Sequence, residues 1–475
     1  MENLEKILWK IIWVLLGGCF ASLVVATLYD RILFSDGAWW FFNLVSSRSF
    51  AFDSSFARYT DRIFQIPALV ALFAGFGDNV ILKTYSVFYN FNPLCSLLIC
   101  GWILKKRDRI DLLIFPVLSF ALVTQTTLGD PSVMVSSLLS FTWPLFFLSV
   151  LPRRGFLTSI GILGLVTCFA FEHESGIIFL LMLILVKSYE GYTDIAERKR
   201  EHYLLGGLFF AAAAWLVYRV VGPTAGPSQY FVDAIFFKWD SFRKASLAIL
   251  ISAILVFFKP QFISAKIWLS CLTLFACSAA VYTAIRMNTE PEDLIFWSVN
   301  HARSTATFFA AFLALCCFIV MNRQMQFEKY RNRALLIIAC FALAASLVHD
   351  IKLNSFWLKS TSFIKSKISA EPDCEQLNVS DSLEINKHGF YSTYLPIVSL
   401  ILSKIENGNV GTVLYSTESL GHLKSQKTKN FCCLLGQGKF YFTAQEYDPY
   451  KIAHYDLIPV VSAAKAKSSC PEVAR

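Results

Sequence analysis

Apolar runs of about twenty residues recur along the first three quarters of this chain of 475 residues. A run of that length crosses the hydrocarbon layer of a bilayer as a helix, and within lipid only helices and closed barrels satisfy their own backbone hydrogen bonds. Composition agrees. The chain is 55% hydrophobic and 16% charged, with mean hydropathy +0.52, where a soluble protein carries nearer about a quarter charged residues. The expected fold is therefore an all-α polytopic membrane protein. The net charge of +9 is not a nucleic-acid signature, because the basic residues lie in short clusters between apolar runs, where membrane topology accounts for them.

Eleven spans are expected, at residues 8–28, 84–104, 110–128, 133–151, 156–171, 176–188, 204–221, 245–258, 267–285, 306–321 and 334–348. The N-terminal MENLEKILWK runs into an apolar stretch too long for a signal-peptide core, which reads as a retained first span with its start in the cytoplasm. Residues 63–77 are also apolar, but Pro67, Gly75 and Gly77 break them. They are short, and counting them as a span would place the next basic cluster outside, so they read as a helix along the membrane surface within a long first outer loop, residues 29–83. In this topology Lys105, Lys106, Arg107, Arg109, Arg153, Arg154, Arg198, Lys199 and Arg200 face inward, while Asp36, Asp130, Glu172 and Glu174 all face outward. The acids played no part in choosing the spans. The membrane domain is then 1–349. Residues 350–475 form a small α/β module outside, with a helix expected near 394–405 and strands near 411–416 and 439–443.

The acids at span mouths carry the functional reading. Ionisable groups at membrane depth are costly and tend to face a cavity or a partner. Such carboxylates hold a metal ion, orient an acceptor hydroxyl, or take its proton. Asp36 opens the stretch SDGAWWFF just after span one, and is the first catalytic candidate; its plainer role is a helix N-cap beside an interfacial aromatic belt. Asp130 precedes Pro131 and is the second, with a cap of span four as its plainer role. Glu172, His173 and Glu174 interrupt an apolar stretch and are candidates for metal or acceptor binding, although three adjacent residues rarely all chelate one ion. Asp78 stands where the first loop re-enters the membrane, and a simple turn explains it as well. Arg303, His301, Arg219 and Arg286, with Lys238 and Arg243, sit at or between outer mouths, where a lipid-linked phosphate needs cationic partners; lipid headgroups offer the plainer explanation. There is no Walker loop, dinucleotide glycine motif, GxSxG or HExxH. Nine of the thirteen cysteines lie in apolar runs; Cys374, Cys432, Cys433 and Cys470 do not, and their pairing stays open.

One span, a long outer loop with an acid near its start, a second short outer loop with an Asp, and then many spans: over residues 1–190 this order resembles the GT-C superfamily of integral-membrane glycosyltransferases. Within it the chain resembles the branch of protein O-mannosyltransferases and lipid A aminoarabinose transferases. The resemblance implies a GT-C-like architecture and transfer of a sugar from a polyprenyl-phosphate carrier, with inversion, to an extracytoplasmic glycan, lipid or protein. By analogy Asp36 matches the catalytic first-loop Asp, Asp130 the second-loop Asp, and Asp78 an acid placed before the second span. The family often pairs two neighbouring acids in the first loop. Here the second, Asp30, lies six residues earlier and is followed by Arg31, which departs from that pattern. The implied partners are the lipid-linked donor, membrane lipid and the acceptor, with no nucleic acid. A divalent metal ion is the one cofactor to consider, and a bacterial inner membrane the implied location. Two other functions fit a polytopic chain. A transporter or flippase predicts ionisable residues near mid-span and an inverted repeat, and no repeat is visible. A non-catalytic scaffold predicts acids scattered in space.

Overall fold

The first apolar run folds as helix α1 (Glu2–Leu28), whose 27 residues extend about 40 Å at about 1.5 Å per residue, enough to cross a hydrocarbon layer about 30 Å thick. It ends where Asp30 takes a left-handed backbone conformation, φ +57°, which Asp tolerates better than most residues. In this computed structural model the described residues are 2–33, 36–50, 60–124, 136–151, 155–171, 176–193, 196–221, 310–318, 320–321, 328–368, 375–378, 395–407 and 412–415.

After a 3-10 turn at Arg31–Leu33 come α2 (Asp36–Ser47), α3 (Asp61–Phe73) and α4 (Asp78–Lys105). The 13 residues of α3 reach only about 20 Å, too short to cross. Gly75, at φ +76°, turns the chain into α4. No helix breaker separates Asp78 from Thr84, so α4 starts six residues before the expected span, and Asp78 in its first turn suits the positive helix end. The next elements are α5 (Ile114–Thr124), α6 (Ser136–Val150), α7 (Phe156–Ala170), α8 (Gly176–Thr193) and α9 (Ala196–Val221), each on an expected span. Helices α8 and α9 pair antiparallel. Gly191 permits their approach, since a Cβ there would meet the Tyr203 ring at 3.1 Å. The spans expected at 245–258 and 267–285 lie outside the described residues. Residues 310–318 are helical and fully buried.

Helix α10 (Glu328–Lys367) has 40 residues. It carries the expected last span, 334–348, past residue 350 without interruption, so the expected boundary between 349 and 350 falls inside a helix. It runs parallel to α1: Arg333 pairs with Glu5 at 3.1 Å, Leu347 lies against Gly18, Asn354 bonds Ser22, and the Trp357 indole N–H donates to the Tyr29 carbonyl. A Cβ on Gly18 would lie 2.7 Å from Leu347 Cδ2; a small residue there lets the two helices close up, as in membrane bundles generally. Beyond α10 come strand β1 (Glu375–Asn378), α11 (Leu395–Asn407) and strand β2 (Thr412–Tyr415). The strands pair in parallel, Glu375 opposite Thr412 and Asn378 opposite Tyr415. Helix α11 and β2 fall on expected segments, whereas the polar EQLN of β1 carries no strand pattern. The strand expected at 439–443 lies outside the described residues.

Two apolar cores stack along the bundle. One joins α1, the second half of α4, α5 to α9, and the first half of α10. The other joins α2, α3, the first half of α4, the second half of α10, and α11. Among the described residues, four stretches are long and apolar enough to cross a membrane: Asn3–Leu28, Asp78–Lys105, Gly176–Thr193 and Arg333–Lys367.

Candidate functional site

Between the two cores, where α1 ends, lies a layer of buried polar groups. Lys83 of α4 reaches back to α1 and caps it, donating to the carbonyls of Leu28 at 2.6 Å and Thr27 at 3.3 Å. Those carbonyls are the unsatisfied, negative end of the helix. The same ammonium bonds the Asp30 carboxylate at 2.6 Å. Burial pushes the Asp30 carboxyl above its ordinary range, and the opposing pull of Lys83 only partly offsets it. Arg31 turns the other way. Its Nη1 donates to Asn354 Oδ1 at 2.8 Å and lies 3.7 Å from Asp350, with both ionic side chains only 6% exposed. Burial draws the guanidinium below its usual value, and Asp350 pulls it back up. Asn354 then donates to the Ser22 carbonyl and hydroxyl, both at 2.9 Å, and Asn90 donates to Thr27 Oγ1 at 3.0 Å. Two cations meet two carboxylates, so the layer is neutral. Its bonds pin the exit of the first loop to α4 and α10.

Asp36 is the first residue of α2. The aromatic run behind it is core rather than a lipid-facing belt: Trp40, Phe41 and Phe42 are buried with Tyr85 and Tyr89 of α4 and with α11. The ring centroids of Phe41 and Tyr85 are 5.5 Å apart. Asp30, the nearest acid to Asp36 in sequence, is committed to Lys83 and Arg31 to Asp350 and Asn354. Asp78 lies 3.5 Å from Lys404 of α11, each about a third exposed.

A second junction forms where α7 ends. Thr60, just before α3, donates its hydroxyl to the Cys168 carbonyl at 2.6 Å and its N–H to the Phe171 carbonyl at 3.3 Å. Phe64 of α3 lies against Phe141 of α6, with centroids 5.8 Å apart. The Phe171 ring meets Trp215 edge-on at 6.1 Å, one turn before Arg219 in the last turn of α9. Around the start of α3 thus lie Phe171, which directly precedes Glu172 in the chain, and Phe141 of α6, the helix that follows Asp130. Asp130, Glu172, His173, Glu174, Arg286, His301 and Arg303 themselves lie outside the described residues, and so do Lys238 and Arg243. Among the described residues no three His, Cys, Asp or Glu side chains gather in a way that would hold a metal ion.

Two buried polar sites escaped the sequence reading. Asp350 and Asn354 sit beyond the expected end of the last span, and only their burial against α1 gives them a role. Lys187, fully buried in α8, donates to the Ser149 carbonyl at 2.7 Å and pairs with Glu190, which also lies 3.2 Å from His202 of α9. Its signal was present: a lysine inside the run IIFLLMLILVK.

Long apolar helices, two stacked apolar cores and charges paired in layers between helices define a helical membrane protein. Comparison with protein-family models, with curated proteins and with solved structures finds no match.

Proposed function

We propose that this protein is a membrane glycosyltransferase that moves a sugar from a polyprenyl-phosphate carrier to an acceptor outside the cytoplasm. The observation that carries the proposal is the gathering of three loop flanks at one end of the bundle. Thr60 of the first loop bonds the end of α7 at Phe171, the residue before Glu172 in the chain, and α3 packs on α6 at Phe141, in the helix that follows Asp130. Asp36 heads α2 at the same end, and Arg219 lies in the last turn of α9 there. A scaffold whose acids serve only as separate caps has no need of this gathering.

The chemistry follows from these groups. The acceptor hydroxyl attacks the anomeric carbon in line, its proton passes to Asp36, and the bond from the anomeric carbon to the phosphate oxygen breaks. The polyprenyl phosphate leaves with the bonding pair, and the configuration inverts. Arg219, with Arg303, His301 and Arg286, would hold the phosphate, since charge-assisted bonds to its oxygens are the strong ones. Asp130 would orient the acceptor. Asp78, Glu172, His173 and Glu174 are the groups available for a divalent ion, should the reaction use one.

Eleven spans with a C-terminal module outside belong to the same proposal. Parallel packing of α1 and α10 supports it, because two parallel spans require an odd number of crossings between them, and the expected topology supplies nine. The test is transfer in native membranes from polyprenyl-phosphate sugars, wild type against Asp36→Asn. Loss of a general base lowers the rate by about 10²–10⁴-fold. Transfer by Asp36→Asn at the wild-type rate would make Asp36 the start of a helix and nothing more.

A further inference from the structure

The C-terminal helix α11 is separated from the first loop by some 350 residues of chain, yet it completes that loop's core. Leu395, Val398 and Ile401 are buried with Trp40 and Phe41 of α2 and with Trp357 and Ile364 of α10. None of these contacts is local. Helix α2 has 12 residues, too few to be stable alone in water, so its form depends on the surfaces that cover it. Two ion pairs flank the far end of α11. Lys404 meets Asp78 at the start of α4, and Glu406 meets Lys365 near the end of α10. The side chains of both pairs are 29–44% exposed. Their attraction is weak and screened by salt, which suits a contact that opens and closes. Helix α11 also lies in the chain between β1 and β2, which pair in parallel.

We infer that α11 is a clamp on the first loop: its seating, set by the Asp78–Lys404 and Lys365–Glu406 pairs, governs whether α2 is docked. Its functional meaning rests on the proposed role of Asp36, which heads α2. The clamp itself does not. With α11 seated, α2 is held between α11 and Tyr85 of α4. With α11 lifted, α2 keeps only its contact with α4 and loosens. Helix α11 then regulates the site, where a merely tethered helix would leave it untouched.

Hydrogen–deuterium exchange of the full chain in lipid nanodiscs tests this without a donor or acceptor, so its failure is separate from failure of the transfer assay. The double variant Lys404→Glu/Glu406→Lys keeps net charge and turns both pairs into repulsions. Exchange of the α2 amides should quicken about tenfold, on the scale of two opposed half-exposed pairs, while α8 and α9 exchange as before. Adding Asp78→Lys and Lys365→Glu restores both attractions with the signs swapped, and should return α2 to its original rate. Faster exchange confined to α11, no change in either helix, or a change that the fourfold swap does not reverse would each overturn the clamp.

Discussion

Arg31 is buried, and its charge is matched by Asp350, which faces it from a helix more than three hundred residues away. Breaking one side of a buried pair leaves the other charge uncompensated, at about 3–5 kcal/mol, whereas replacing both by apolar residues of similar size is much milder. Asp350→Ala should therefore lower the thermal unfolding midpoint in detergent far more than Arg31→Met/Asp350→Leu, and equal losses would mean that Asn354 alone holds the guanidinium. Asp30 gives a pH signature. Its folded carboxyl is raised by burial, so the folded state holds this proton more tightly than the unfolded chain. Stability then falls as pH climbs from the ordinary carboxylate range, about 4, through the raised value. Asp30→Asn should remove that fall, and a wild-type profile unchanged by the substitution would deny the raised carboxyl. Neither role was legible beforehand. Asp30 was visible as an acid near Asp36, but its commitment to Lys83 depends on how α4 passes the end of α1.

Helices were the most legible feature, because a long apolar run has few alternatives in lipid. Their ends were less so. Helix α10 overshoots its apolar run by nineteen residues, from 348 to Lys367, because one side of its polar second half, with Phe356, Trp357 and Ile364, is buried with α2 and α11. The aromatic run of α2 was similarly ambiguous. Composition allows an interfacial belt or a core, and the packing of α4 and α11 makes it core. The glycine pair in α1 separates local from tertiary demands. Gly17 has nothing within 4 Å of an added Cβ, while Gly18 faces Leu347 at 2.7 Å. Gly17→Ala should be neutral or stabilise by up to about 1 kcal/mol through helix propensity. Gly18→Ile overfills the α1–α10 contact and should cost about 1–3 kcal/mol, with Leu347→Ala relieving part of it. Chemical unfolding in mild detergent reads both, and equal effects at the two positions would disprove the close parallel contact.

In the proposed topology, parallel α1 and α10 put residues 2 and 328 on one side of the membrane and the turn at Gly77 on the other. An impermeant maleimide on right-side-out vesicles should label Gly77→Cys above the background of the parent chain, and label Glu2→Cys and Glu328→Cys only after permeabilisation. Labelling of all three from one side would break the topology. The sequence by itself determined that the chain is a helical membrane protein and where its long apolar helices run, because hydrocarbon demands uninterrupted apolar helices that satisfy their own backbone. Tertiary structure alone decided the rest. Contact with distant helices is what joins Arg31, Asp350 and Asn354 with Lys83 and Asp30 into one neutral layer, and what makes α11 part of the first loop's core. A buried charge must find its partner wherever the fold brings one, and chain separation says nothing about which side chain that will be.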